Sequence, residues 1–280
     1  TGNCPYPTAI RFVRKMRGGT QAHLLQADDN QFYVVKFKNN PHGIRSLVNE
    51  WIVSGVMTHL GISTPAPQAV CVPEHFLDQN PEVHLQRARK TVLVAPGLHF
   101  GSQYPGDPDR IVVHDLMPRP LLRDKTVNVN DFVGTLVIDK WTANADARQA
   151  IFTRTGRTGY AVHMIDHGAA FNGQNWSFSD APLFGLYRDL AAYETVRGWG
   201  EFEPWLERVA DFPAEVIWRR LASIPKEWIA HEGDEPERLV RRLLMRRKRV
   251  IGLIESMLET KVAAFPNWGR PPLVSDWRIS

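Results

Sequence analysis

Asp139-Lys140-Trp141-Thr142-Ala143-Asn144-Ala145-Asp146-Ala147-Arg148-Gln149 packs two carboxylates, two amides and two cations into eleven residues. An apolar run, Phe132 to Ile138, precedes it and reads as a helix behind the start signal Asn130-Asp131. Two short strands follow, Ala150 to Thr153 and Tyr160 to Ile165, around the turn Gly156-Arg157-Thr158-Gly159. A loop this polar at a helix–strand junction is a candidate catalytic loop. The plainer alternative is a capped, salt-bridged surface turn. The second strand runs into Met164-Ile165-Asp166-His167-Gly168, an aspartate at a strand end with a glycine two residues on. That suits a metal ligand, or simply an aspartate opening a β-turn.

Upstream, the first forty residues read as a small antiparallel meander: Ile10 to Val13, Ala22 to Gln26 and Phe32 to Lys38, with Asp28-Asp29-Asn30 as a turn. Gly18-Gly19-Thr20-Gln21 separates the first two strands. Glycines there let backbone N–H groups approach phosphate oxygens, although a Gly-Gly hairpin turn explains the same letters. Lys36 lies among Val34, Val35 and Phe37. It is either a phosphate-neutralising lysine or, with Lys38, part of a solvated strand face. A helix from about Ile44 to Leu60 carries Leu47, Val48, Trp51, Ile52 and Val56 at helical spacing, and Glu50 with them. Beyond Gly61, Ala69 to Val72 and Thr91 to Val94 read as strands, and the glycine- and proline-rich stretch Gly97 to Asp109 as a loop. A boundary near Pro118-Arg119-Pro120 divides the chain into 1–118 and 119–280. After Pro182 the chain turns helical, near Leu186–Val196, Glu203–Val209 and Pro213–Leu221, ending in one long helix from about Pro236 to Val262. Strands first and helices afterwards indicate an α+β protein.

Of 280 residues, 43% are hydrophobic and 23% charged, so the chain can bury a core and shows no disordered composition. The formal charge of +4 favours an anionic small substrate and is too slight for a dedicated nucleic-acid binder. Arg241-Arg242 and Arg246-Arg247-Lys248-Arg249 fit the solvated face of the last helix, with Leu239, Leu243, Leu244, Val250, Leu253 and Ile254 inward. Cys4 and Cys71 are too few for a disulfide framework and lack metal-ligand spacing, which points to a reducing, cytoplasmic compartment. No apolar run reaches the about 18 residues that span a bilayer, and Thr1-Gly2-Asn3 has no leader character. No histidine pair has zinc-helix spacing beside a glutamate, which argues against a zinc hydrolase.

The order of these features is more specific than any one of them: glycine loop, strand lysine, helix glutamate, polar loop after a helix, then hairpin and strand-end aspartate. In Gly18-Gly19-Thr20-Gln21, Tyr33-Val34-Val35-Lys36-Phe37, Asn49-Glu50-Trp51, Asp139-Lys140-Trp141, Asn144-Ala145-Asp146 and Ile165-Asp166, the chain resembles the HipA-like kinase family from about Ile10 to Tyr187. The resemblance implies a protein-kinase-like fold of two lobes, with a small β-rich N-lobe and a larger, mostly helical C-lobe. It implies use of ATP and Mg²⁺ and transfer of the γ-phosphoryl group to a hydroxyl acceptor, protein or small molecule, which the sequence leaves unidentified. On this likeness the nucleotide-binding residues are Gly18, Gly19, Thr20, Gln21, Lys36 and Glu50, and Asp166 holds the metal. Asp146 stands at the catalytic-aspartate position, and Arg148 either stabilises transferring charge or pairs Asp139.

Three departures qualify the likeness. The family places a metal-binding asparagine five positions after the catalytic aspartate, and five from Asp146 is Ile151. A loop shortened by two puts Gln149 there. Alternatively Asp139 is the catalytic aspartate and Asn144, five residues on, the metal amide, as in H-R-D-x-x-x-x-N. Asp-His-Gly also stands where kinases carry Asp-Phe-Gly, and Met16-Arg17 where some members carry a self-phosphorylated serine. These departures leave a nucleotide-binding pseudokinase, and a partner- or nucleic-acid-binding module using the basic helix, as rival readings.

Overall fold

The computed structural model describes residues 4–88 and 90–271; the reading of Thr1-Gly2-Asn3 lies outside them. Five strands build one antiparallel sheet in the order β1-β2-β3-β7-β4. They are β1 (Ala9–Lys15), β2 (His23–Ala27), β3 (Phe32–Lys36), β4 (Pro67–Val72) and β7 (Gly97–Gln103), with helix α1 (Arg45–His59) between β3 and β4. Short α2 (Glu74–Gln79) and the ribbon β5 (His84–Arg87) and β6 (Lys90–Leu93) complete this region. The meander, the helix and the strands near residues 70 and 92 all lie where the sequence puts them.

Gly97 to Asp109 does not form a loop: its first half is β7, paired on both sides in the sheet interior. The glycine there serves close approach, since a Cβ on Gly101 would stand 2.7 Å from Val70 Cγ2 and 3.3 Å from Tyr33 Cβ. A small core under the sheet joins Leu25, Val35, Phe37, Val70, Val72 and Leu85.

The remaining chain is mostly helical. β8 (Val113–His114), α3 (Arg119–Lys125) and α4 (Asp131–Thr142) lead to the hairpin β9 (Gln149–Thr155) and β10 (Gly159–Ile165). After it come α5 (Trp205–Ala210), α6 (Ala214–Ala222), α7 (Lys226–Ile229), α8 (Glu235–Arg246) and α9 (Val250–Leu258). The expected helix near Leu186–Val196 shrinks to a 3₁₀ turn at Leu190–Tyr193. The expected single final helix breaks at a 3₁₀ turn, Arg247–Arg249. The basic run there is also less solvated than its letters suggest. Arg246 is buried, ion-paired to Asp180, and donates to the Lys140 and Trp141 carbonyls at 2.9 and 3.0 Å. It thereby caps the C-terminus of α4.

α1 is buried nearly all round, so it sits inside the molecule rather than on it. Its Leu47, Val48, Ile52 and Val56 share one core with Leu136, Val137 and Trp141 of α4 and with Leu243 and Ile254 of the last two helices. Residues that α1 turns toward the sheet are therefore held from both sides. Among the described residues, no helix is long and apolar enough to cross a membrane.

Candidate active site

Three elements deliver three charges to one point. Lys36 closes β3, Glu50 lies mid-α1, and Asp166 follows β10. The Lys36 ammonium is ion-paired to Glu50 Oε1 and donates to Asp166 Oδ1 at 2.7 Å. Lys36 and Glu50 are buried, whereas the Asp166 side chain keeps 28% of its surface open. Burial alone would favour a neutral lysine, yet the two carboxylates hold it protonated above its ordinary value. Burial likewise pushes the Glu50 carboxyl up, against the pull of Lys36. For Asp166 the nearby cations outweigh burial and bring the carboxyl down to about 2.

Asp166 has φ +60°, a left-handed conformation that costs a non-glycine residue about 1 kcal/mol or more. Neighbouring bonds fix it there. Arg148 Nη1 donates to the carbonyls of Ile165 at 2.8 Å and Asp166 at 3.4 Å. Gln149 Nε2 donates to Asp166 Oδ2 at 2.8 Å, so the amide and the carboxylate share an exposed edge. Asp166, Gln149 and phosphate oxygens would make a hard, all-oxygen set suited to Mg²⁺ once the amide presents its oxygen. Among the described residues, no group of three His, Cys, Asp or Glu side chains can hold a metal. Phosphate and amide oxygens would have to complete the shell.

The polar segment from Asp139 to Gln149 is half helix. α4 continues through Asp139, Lys140 and Trp141, because the charges that would otherwise end it are satisfied inside. Ala143, at φ +49°, ends the helix, and its N–H and that of Asn144 both return to the Asp139 carbonyl. The Asp139 carboxylate is only 2% exposed and pairs Arg148 through two oxygens, with Asn144 Nδ2 at 3.1 Å. Asn144 Oδ1 in turn accepts from Asp146 N at 3.3 Å, so both ends of this buried amide are engaged. Asp146 stands exposed; among the described residues its carboxylate accepts only from the adjacent Ala147 N, at 2.7 Å. Gly18-Gly19-Thr20-Gln21 closes the β1–β2 turn, with φ +127° at Gly18 and +52° at Gln21. Its Gln21 amide is tied to the Gln86 backbone at 2.7 and 2.6 Å, and among the described residues no hydrogen bond joins the turn to Lys36 or Asp166.

The family model described as HipA-like kinase matches residues 9–249. The chain belongs to the HipA-like kinase family. No curated protein matches it. Among solved structures, it resembles the Golgi casein kinase with Mn/ADP bound (TM-score 0.51, 10% identity, 95% of this chain and 78% of that one). It also resembles hydra Fam20 with sugar (TM-score 0.54, 12% identity, 90% of this chain and 87% of that one). The fold is therefore kinase-like, with a β-sheet N-terminal region and a helical C-terminal region.

In this member of the family several residues that the sequence leaves without a role surround the site. His167, at the bulky position of the Asp-x-Gly, is 2% exposed and lies 3.1 Å from both Arg148 Nη1 and Thr64 Oγ1. Because the guanidinium can only donate, Nδ1 accepts and Nε2 carries the proton, donated to Thr64, whose hydroxyl donates to the Met164 carbonyl. Burial, with Arg148 and Lys36 nearby, holds the ring neutral, well below its ordinary value. Asn49, beside Glu50, donates to the carbonyls of Gly168 and Ala170 at 2.8 and 2.9 Å and accepts from Trp176 Nε1 at 2.8 Å. It stitches α1 to the chain after Asp166. Asn49 next to Glu50, and a histidine where phenylalanine is usual, are the only signals of this in the sequence.

Proposed function

We propose that the chain is an ATP- and Mg²⁺-dependent kinase that transfers the γ-phosphoryl group to a hydroxyl acceptor. The observation that carries this reading is the meeting of Lys36 and Glu50, from consecutive elements, with Asp166, 130 residues beyond Lys36. Lys36 has three donors and two carboxylate partners, which leaves one N–H for an ATP phosphate oxygen. Glu50, locked inside α1, sets where that ammonium points. The β1–β2 glycine turn covers the phosphates with backbone N–H groups. Asp166 and Gln149 hold Mg²⁺, which would neutralise phosphate charge. Asp146 accepts or orients the acceptor hydroxyl, since it alone of the two loop aspartates reaches solvent. Asn144 is buried, with Nδ2 on Asp139 and Oδ1 on Asp146 N, and is left out of the metal set. Arg148 acts through Asp139, Asp166 and His167, its donors already engaged. Phosphoryl transfer asks chiefly for positioning and charge stabilisation, which this set supplies. The cytoplasmic assignment rests on the low cysteine count alone.

Incubation with γ-labelled ATP and Mg²⁺ tests the reading. Phosphate should move to protein, added acceptor or water, and Asp166→Asn should abolish this with the circular dichroism spectrum unchanged. The exposed glutamine at the place of the usual asparagine favours one rival, a pseudokinase. Tight ATP binding without any transfer would establish that rival instead.

A further inference from the structure

Lys36 belongs to the sheet and Glu50 to α1, and only the stretch 37–44 joins the two elements. A separate short helix takes hold of both. On the sheet side, β7 pairs with β3 only as far as Lys36 opposite Phe100, which leaves Leu98 past the end of β3. Side chains of α7 take that place. Glu227 Oε1 accepts from Leu98 N at 2.8 Å and pairs with the Lys38 ammonium at 3.3 Å. Trp228 Nε1 donates to the Leu98 carbonyl at 2.9 Å. Both main-chain groups of a strand residue are thus satisfied by side chains 129 and 130 residues further on.

On the helix side, the buried Trp228 ring stands edge-on to Trp51 of α1, 5.8 Å between centroids. Before α7, Ser223 Oγ accepts from Trp51 Nε1 at 3.0 Å. Arg220 of α6 donates to the Trp51 carbonyl at 2.7 Å, its guanidinium 4.0 Å from the indole centroid. Gly55 makes room for it, since a Cβ there would stand 2.7 Å from Arg220 Nε. After α7, Glu232 Oε2 accepts from Arg45 Nη2 and Nε at 2.5 and 3.0 Å. Arg45 opens α1, and its Nη1 donates to the Gln174 carbonyl at 2.8 Å. The sheet that carries Lys36 and the helix that carries Glu50 are therefore fastened to the same few residues, 223–232.

We propose that α7, with Glu232 after it, is a built-in brace that holds α1 against the sheet, so that the Lys36–Glu50 pair stands assembled in the free chain, and that Glu227, Trp228 and Glu232 are positioning residues for that pair. This rests on the kinase reading above. The test is Glu227→Ala with Glu232→Ala, whose side chains are 39% and 14% exposed and can be trimmed without opening the core. Amide hydrogen exchange is measured without nucleotide, and transfer kinetics with ATP and Mg²⁺. In the wild type α1 should exchange as slowly as α4. In the double variant α1 should exchange at least about tenfold faster, while α4 and the hairpin of β9 and β10 keep their wild-type rates. The KM for ATP should rise about tenfold, as for a competent state populated about one tenth of the time. At saturating ATP, kcat should stay within about twofold, because bound nucleotide restores the assembled form. Glu227→Gln with Glu232→Gln keeps an acceptor for Leu98 N and for Arg45 and should restore part of both losses. Faster exchange in every element alike marks general destabilisation and overturns the proposal, as does a KM for ATP within about twofold of wild type. If the wild type binds no ATP, the kinase reading falls, and the exchange of α1 in the free chain still decides the brace.

Discussion

Asp139 and Asp146 lie seven residues apart in one polar segment and live in opposite surroundings. Asp139 belongs to the last turn of α4, is sealed from water, and spends both oxygens on Arg148 and Asn144. Asp146 sits past the helix end in the open, its backbone held on both sides by Asn144 and Gly185 and its carboxylate nearly free. One aspartate supports the site and the other is available to it. The difference follows from a single event, the left-handed turn at Ala143 that ends the helix between them. A carboxylate one turn inside a helix that packs on all faces becomes scaffold, whatever its spacing to an asparagine.

The largest effect that separates the two is on turnover. Asp146→Asn should lower kcat by about 10²- to 10⁴-fold, the worth of a positioned general base. Its ATP affinity and melting temperature should stay close to wild type, because the side chain supports nothing. If Asp139→Asn instead costs more in kcat at unchanged stability, the two roles are exchanged.

The next effect is on the fold. Asp139→Ala leaves the Arg148 guanidinium buried and unpaired, and breaking such a pair costs about 3–5 kcal/mol. Urea titration should show this loss. Pairing Asp139→Leu with Arg148→Met should recover part of it, since replacing a buried ion pair with apolar groups is often neutral. A surface salt bridge, the plainer sequence reading of this segment, predicts under about 1 kcal/mol for the single change.

Much of this was legible from residue order alone. The meander, α1 with Glu50, and the hairpin ending at Asp166 follow from period-2 and period-3.6 patterns that burial enforces. What failed did so for identifiable reasons. Gly97 to Gln103 reads as loop because glycine is scarce in strands, yet Gly101 is what lets β4 and β3 approach β7. Asp139 and Lys140 read as loop because charges suggest solvent, and only the fold supplies Arg148 and the carbonyls near residue 182 to neutralise them. Arg246 reads as a solvated face for the same reason, its partner Asp180 lying 66 residues away. The segment from Ala181 to Tyr187 gives no periodic signal at all. Its shape is imposed by Lys140 and the polar loop, not by its own letters.

Lys36 extends the comparison to the second pair of acids, Glu50 inside and Asp166 at the edge. Lys36→Met removes the cation that holds Glu50 ionised, leaving that buried carboxylate without its partner at a cost of about 1–3 kcal/mol. Burial already pushes the Glu50 carboxyl up, and losing Lys36 pushes it further. A carboxyl raised in the folded state keeps its proton longer folded than unfolded, so stability falls as pH rises above the ordinary carboxyl range. The Lys36→Met deficit should therefore be smaller at pH 5 than at pH 8 in thermal melts. Asp166, brought down to about 2 in the intact site, stays ionised there throughout this window, so a deficit larger at pH 5 than at pH 8 would rule out Glu50 as its cause.

Gln149 gives the smallest effect and the sharpest choice. It opens β9, exposed, with Nε2 2.8 Å from Asp166 Oδ2. If its amide turns to offer oxygen to Mg²⁺, Gln149→Ala should raise the Mg²⁺ concentration for half-maximal transfer about tenfold, a loss usual for one supporting ligand. If it serves only to donate a hydrogen bond to Asp166, the alanine change gives a similar but metal-independent loss. Gln149→Glu separates the two. A second carboxylate beside Asp166 adds a hard oxygen ligand and should lower the Mg²⁺ requirement in the first case. In the second it replaces a donor with a like charge and should weaken transfer at every Mg²⁺ concentration.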